Sequence, residues 1–133
     1  MAALTEARDT QARNAELLSV PMKAATKVLQ GSLAVAEGGY ATPGKTAAGL
    51  KALGRAQDTV DNTLGVAGAK SVTIERGTFL FENSATDPLA QADLFADAYI
   101  EDDQTVSKTA AGKSRAGRVI ALDASGVWVE VGY

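Results

Sequence analysis

Short runs of alternating apolar and polar residues, separated by glycine-containing turns, recur along this chain of 133 residues. The clearest run, SVTIERGTFLFEN at residues 71–83, places Val72 and Ile74 on one face and Thr73 and Glu75 on the other. A period of two is typical of a strand with one buried face. About seven or eight such strands recur at spacings of roughly ten residues, which predicts a mainly β protein: a small β-sandwich or barrel-like domain.

The remaining strands are predicted from weaker signals. Two short strands at residues 28–29 and 33–35 are expected to join near Gly31, and residues 40–53 fit a loop that leads into another strand. Residues 118–132 alternate on both sides of an Ala-Ser-Gly turn, which predicts a terminal hairpin. Gly77 marks a bulge, a bend within one long strand or a hairpin turn, and the sequence leaves these alternatives open.

One short helix is predicted in TDPLAQADLFAD, residues 86–97. Thr86 or Asp87 supplies an N-cap and Pro88 suits the first helical position. Leu89, Ala92 and Phe95 recur at helical spacing and would share one face. No long helices separate the strands, which disfavours a doubly wound parallel sheet.

The first 19 residues differ in character from the rest. Residues 1–19 are polar and alanine-rich, with only a thin apolar stripe interrupted by residues that favour turns. We therefore predict an extended N-terminal arm over residues 1–19 and a single β-rich domain over residues 20–133.

Composition excludes several kinds of chemistry. The chain contains neither cysteine nor histidine, which removes disulfides, thiol catalysis, zinc sites of the Cys/His type and imidazole-based mechanisms. Aromatic residues make up only 5% of the chain, so the large core anchors are few. The candidates are Phe79, Phe81, Phe95, Tyr99 and Trp128.

Charge and hydropathy narrow the classes of partner. The net charge is −3 and no dense basic stripe exists, so we expect no direct nucleic-acid contact. No apolar run is long enough to span a membrane, and no export signal is visible at the amino terminus. We expect no membrane partner.

A formal nucleotide-binding pattern, GxxxxGK[ST], runs from Gly39 to Thr46. Pro43 directly before Gly44 removes a backbone donor, and two glycines weaken the helix that should follow by about 1 kcal/mol each. The pattern fixes only four positions in a loop rich in Gly and Thr. We interpret it as a chance match in a surface loop with Lys45 solvated.

Three further features carry alternative interpretations. The acidic run at residues 101–104 fits an exposed turn better than a Ca²⁺ site, because it lacks the spacing and glycine of an EF-hand loop, and Asp103 or Gln104 would bond the turn backbone. The basic stretch at residues 108–118 either contacts an acidic partner or is a solvated connection.

Trp128 lies between Val127 and Val129 in an alternating strand, so its side chain points to the face opposite theirs. We expect Trp128 at the core and at a subunit contact.

The order of these motifs resembles that of phage head-decoration proteins, also called capsid cement proteins. The resemblance covers nearly the whole chain and consists of strand and turn types rather than a catalytic motif. It is carried by TEARDTQAR, VLQGSLAVAEGGYATP, GLKALGRAQDTVDN, GAKSVTIERGTFLFEN, AYIEDDQTVSK and RAGRVIALDASGVWVEV.

The resemblance implies a β-rich domain with an extended arm. It implies a homotrimer, made in the host cytoplasm, that sits on the outer surface of the virion and ties the major capsid protein lattice together. It brings no catalytic residue, cofactor or metal. We expect the arm to contact the shell or a neighbouring subunit, with Leu4, Leu17, Leu18 and Trp128 at the interface.

Two alternatives remain. Another structural phage component, such as a tail-tube or head-completion protein, also uses small β domains with arms. A nucleotide-binding protein would use Lys45 and Thr46. We expect the chain not to be an enzyme, because no spacing pairs a nucleophile with a base.

Overall fold

The computed structural model describes residues 2–133 and confirms a mainly β protein. It contains twelve short strands rather than seven or eight, and the only helical element among the described residues is a 3-10 turn at Gln91–Asp93. The strands are β1 Leu17–Pro21, β2 Thr26–Val28, β3 Leu33–Glu37, β4 Tyr40–Pro43, β5 Lys51–Ala56, β6 Val60–Asn62, β7 Ser71–Glu75, β8 Gly77–Asn83, β9 Asp97–Ile100, β10 Thr105–Ser107, β11 Arg115–Asp123 and β12 Gly126–Val131.

The strands form a five-stranded sheet, a closed barrel and a separate pair. The sheet has the order β1-β7-β5-β3-β4 and is antiparallel throughout. An isolated parallel bridge from Met22 to Ala41 links its two edges. The barrel has the order β10-β8-β12-β11-β9, with β10 parallel to β8, and β2 pairs with β6. The barrel closes on itself and therefore leaves no free edge.

Two hydrophobic clusters form the core, and β3 contributes to both. Leu33 and Val35 face the cluster that fills the barrel, whereas Ala34 between them faces the second cluster with Val72 and Ile74. This division follows from the alternation of side chains along a strand. A strand buried on both faces carries few polar residues, as the sequence LAVAE shows.

The run at residues 71–83 divides between the sheet and the barrel. β7 ends at Glu75 in the sheet, and β8 begins at Gly77 in the barrel. Arg76 therefore lies where the chain passes from one layer to the other. Gly77 is not in a hairpin turn, because β7 and β8 do not pair with each other, and the two strands belong to different sheets rather than to one long bent strand.

Two local predictions in the first half of the chain have different outcomes. The two short strands joined near Gly31 are present as β2 and β3, although they do not pair with each other, because β2 pairs with β6. The prediction of a loop from residue 40 is wrong at its start. Residues 40–43 are not a loop but strand β4, which pairs with β3 across a turn made by Gly38 and Gly39, both at positive φ. A two-glycine turn of this kind matches the twist of a hairpin.

The helix predicted at residues 86–97 is also wrong. Leu89 is buried as expected, but Ala92 and Phe95 are exposed, so the three residues share no buried face. The Asn83 side chain binds both the N–H and the carbonyl of Leu89, and the Phe95 N–H donates to the Val119 carbonyl. Tertiary hydrogen bonds thus override a modest helix propensity.

The terminal hairpin is confirmed, with strands β11 and β12 joined at a turn between Asp123 and Gly126. A register shift between Val119 and Ala121 makes Ile120 the extra residue of a β-bulge. Val127, Val129 and Val131 of β12 point into the barrel and are fully buried; the intervening Trp128 points outward.

The predicted aromatic anchors differ in how deeply they are buried. Phe81 is buried, and Phe79 and Tyr99 are half-buried. Trp128 is 36% exposed and Phe95 is 62% exposed, so neither belongs to the core. Aliphatic side chains make up most of the core instead, which is consistent with the low aromatic content.

Asp87 joins the loop after β8 to the loop after β10. Its carboxylate accepts hydrogen bonds from the backbone N–H and the hydroxyl of Thr109, at 2.8 and 3.0 Å, and lies 3.6 Å from the Lys113 ammonium. The hydrogen bond from the Thr109 N–H is the main reason that the pKa of Asp87 lies below its ordinary value of 3.8.

We expect Asp87→Asn to lower the thermal unfolding midpoint at neutral pH and to have a smaller effect in acid. A carboxyl with a lowered folded-state pKa stabilises the fold above its unfolded-state pKa, and this stabilisation is lost as the pH falls through the folded-state value. Thermal unfolding at about pH 7 and about pH 2 measures the difference. Glu82→Gln, at an exposed carboxylate without a hydrogen bond in the described structure, is the control. An equal decrease at both pH values would contradict the expectation.

Candidate functional site

The N-terminal arm is the most exposed segment of the described chain. Residues 2–14 are all exposed and form no regular secondary structure. Their hydrogen bonds are local, such as the one from the Thr10 N–H to the Arg8 carbonyl. Leu4, one of the predicted interface residues, is 71% exposed here. A polar segment with an isolated apolar side chain is available for contact with another molecule.

Leu17 and Leu18 belong to an edge strand rather than to the free part of the arm. β1 begins at Leu17 and pairs with β7, with Leu17 opposite Glu75 and Leu18 opposite Ile74. Leu18 is half-buried on the face that carries Ile74, whereas Leu17 is 54% exposed on the other face. Leu17 therefore has the accessibility that an interface residue needs, and Leu18 has it only in part.

Trp128 lies beside a shallow groove between the barrel and the sheet. Its partner in register is Leu80 of β8, which is 40% exposed. The groove has a volume of about 400 Å³ and includes Phe79, Arg55 and Glu75 in its lining. The Arg55 guanidinium lies 4.4 Å from the centre of the Phe79 ring and 3.7 Å from a Glu75 carboxylate oxygen. The groove therefore combines exposed apolar side chains, Leu80 and Trp128, with the ion pair of Arg55 and Glu75.

The predicted interface residues lie on three different parts of the structure. Leu4 lies on the arm, Leu17 and Leu18 on the edge of the sheet, and Trp128 on the outer face of the barrel. Leu17 pairs with Glu75, which lines the same groove as Trp128. Exposed residues on several elements suit many weak contacts rather than one deep pocket.

Several apolar residues are exposed that were not predicted from the sequence to be exposed. The exposure of Leu80 follows from its phase, because it alternates with Phe79 and Phe81 in a strongly alternating strand. Phe95, expected on a buried helix face, instead has φ = 63° and a side chain that points outward. The tip of the β6–β7 loop carries Leu64, fully exposed, without any periodic signal around it.

The loop with the nucleotide-binding pattern makes internal contacts at each key position. The Gly44 N–H donates to the Leu33 carbonyl at 2.8 Å, and the Thr46 hydroxyl donates to the Glu101 carbonyl at 2.7 Å. The Lys45 ammonium lies 3.0 Å from the Glu37 carboxylate. No helix follows the loop in the part of the chain that the structure describes. This geometry gives no support to the nucleotide-binding alternative.

The Glu37 carboxylate lies beside this loop and binds two lysines. Lys23 and Lys45 both bind its carboxylate, and the hydrogen bond from Lys23 is the largest cause of its lowered pKa. Lys45 is consequently part of a three-residue charge network rather than simply solvated. An exposed network of this kind contributes little to stability.

The acidic run forms a turn, as expected, but through a different residue. The Asp102 carboxylate accepts the Gln104 N–H at 2.9 Å, a role predicted for Asp103 or Gln104. Burial, with a smaller contribution from the Asp102 charge, raises the pKa of Asp103. The neighbouring Glu101 carboxylate is bound by the Ser84 hydroxyl at 2.7 Å. Within residues 2–133, no group of three or more acidic side chains is placed to hold a metal ion.

The basic stretch is structured rather than a free connection. Lys113 donates to the Ser107 hydroxyl at 2.8 Å, and Arg115 and Arg118 lie in β11. Arg115 pairs with Asp97 at 2.7 Å and Arg118 with Glu130 at 3.1 Å. Its charges are thus largely matched within the domain, which weakens the case for an acidic partner at this stretch.

Comparison of the chain with protein-family models, curated proteins and solved structures found no match. None of the described residues forms a helix with the length and apolar character of a membrane span. The resemblance to decoration proteins therefore remains a prediction, and function has to be argued from the arm and the exposed surfaces.

Proposed function

We propose that this protein is a capsid decoration protein that binds the outside of a phage head and stabilises the lattice of the major capsid protein. The supporting observation is the arm, because residues 2–14 are exposed and lie outside the folded domain. Fifteen extended residues from Ala2 onward reach up to about 50 Å, enough to cross onto a neighbouring subunit. The motif order described above is the second support.

The arm suits a bridging role on physical grounds. A segment that orders on binding loses conformational entropy but covers a long path on its partner. It can also add a strand to an exposed sheet edge. Several such arms in one homotrimer act together, so that modest individual contacts give a large total affinity. On this proposal Leu4 and Leu17 bind the shell or a neighbouring copy.

We expect the purified full chain to bind phage heads that lack their decoration protein, and a chain without residues 1–16 to bind them much more weakly. Burial of one leucine contributes about 2 kcal/mol, so Leu4→Ser alone should weaken each contact about 30-fold. Co-sedimentation with undecorated heads measures binding, and electron microscopy shows the added density. The truncation stops at residue 16 because β1 begins at Leu17.

Leu64→Ser is the matched control, since Leu64 is an even more exposed leucine, on a loop of the folded domain. Failure of the full chain to bind undecorated heads of its own phage would contradict the proposed function. Equal binding by the truncated chain would contradict the role of the arm. A hexamer or larger ring in native mass spectrometry, instead of a trimer, would favour a tail-tube or head-completion protein.

A further inference from the structure

Arg76 connects the root of the arm to the end of the chain. Its backbone N–H donates to the Glu16 carbonyl at 2.8 Å, and its guanidinium Nη1 donates to the Ala15 carbonyl at 3.2 Å. The guanidinium Nε donates to the Gly132 carbonyl at 2.7 Å. The same guanidinium lies 4.3 Å from the centre of the Tyr133 ring.

These contacts attach the arm to the folded domain. Within the described chain, the hydrogen bonds that join residues 2–16 to the rest of the protein both come from Arg76. From Leu17 onward the chain is held by its pairing with β7. Arg76 thus stands at the boundary between the free segment and the sheet, at the point where the chain passes from β7 to β8.

The environment of Gly132 is adapted to this arrangement. Gly132 has φ = 94°, and a Cβ atom there would lie 2.7 Å from the Arg76 Cγ and 2.9 Å from the Leu53 carbonyl oxygen. Any side chain at position 132 would therefore displace the arginine. A guanidinium suits the site because its planar fork donates to two carbonyls at once while stacking on a ring, whereas an ammonium lacks that fork and stacking plane.

We infer that Arg76 is the positioning residue of the arm: it fixes the direction in which residues 2–14 leave the domain, beside the C-terminal Tyr133. A flexible segment with a fixed root samples a smaller volume than one with a loose root. The inference concerns the geometry of this chain, and only its consequence for decoration rests on the proposed function.

Spin-label distance measurements test the inference directly. The chain contains no cysteine, so Arg13→Cys and Leu64→Cys together give a unique label pair between the arm and the domain. Arg76→Ala keeps the backbone hydrogen bond to the Glu16 carbonyl but removes the side-chain bond to the Ala15 carbonyl. We expect it to widen the distance distribution about twofold, because a terminal segment with a weaker tether behaves more like a flexible chain. Arg118→Ala is the matched control: that arginine also lies over a ring, Phe95, but its polar partner is the Glu130 carboxylate and it makes no hydrogen bond to the arm.

Removal of residues 132–133 is the second variant, which keeps Arg76 but takes away the Gly132 carbonyl that its Nε binds and the Tyr133 ring. We expect this chain to show a widened distribution too. Equal widths in the wild type, Arg76→Ala and the shortened chain would overturn the inference, whatever the binding to heads. Widening in both variants with undiminished decoration would support the positioning role and overturn the part assigned to the arm in the proposed function.

Discussion

Gly54→Ala is expected to lower the free energy of unfolding by about 3 kcal/mol, the upper range for overpacking a tightly packed site. Gly54 lies in β5 opposite Ala34 of β3, next to the register shift between these strands. Its φ is 152°, and an added Cβ atom would lie 2.1 Å from the backbone oxygen of Glu75 in β7. The clash involves backbone on a paired strand, so no side-chain movement relieves it.

Urea unfolding measures this loss, and Gly49→Ala supplies the control. Gly49 has φ = 80° with no atom within 4 Å of an added Cβ, so it carries the conformational penalty without the clash. We expect about 1 kcal/mol for Gly49→Ala. Equal losses for the two variants would show that β5 and β7 separate easily, in contradiction to the close packing seen at Gly54.

The alternating segments of the sequence predicted three strands of the barrel, β8, β11 and β12, and one strand of the sheet, β7. β7, β8, β11 and β12 all lie within strongly alternating runs rich in Val, Ile and Phe, where the two-residue period has few competitors. β4 was not predicted, because YATP contains few large apolar residues. Its identity as a strand depends on pairing with β3, which is information from the rest of the chain.

Long-range pairing also explains the errors at residues 86–97. In this segment Pro88 suits a first helical position and the alanines and leucines favour a helix locally. However, the Asn83 amide and the carbonyl of Val119 bind its backbone groups instead. Similarly, the root of the arm could not be located from sequence, because Arg76 lies 60 residues from Glu16 along the chain. The outward direction of Trp128, in contrast, follows from its phase relative to the buried valines around it.

Ile100→Ala is expected to lower the free energy of unfolding by about 3 kcal/mol and to destabilise both hydrophobic clusters together. Ile100 is fully buried in β9, in the cluster that fills the barrel. Substitution leaves a cavity that the closed barrel cannot fill by moving a free edge. Ile120→Ala is the matched control, because Ile120 is only half-buried at the bulge of β11, and we expect about 1 kcal/mol there.

The joint destabilisation follows from β3, whose side chains enter both clusters. Loss of packing in the barrel cluster would expose one face of β3. The sheet that contains β3 and packs around Val72 and Ile74 would then be destabilised as well. We therefore expect Ile100→Ala to unfold in a single calorimetric transition at a lower temperature. Faster hydrogen exchange at the amides of Val72 and Ile74 should accompany it. Two separate transitions, with the second at the wild-type temperature, would mean that the sheet folds without the barrel and that β3 does not couple them.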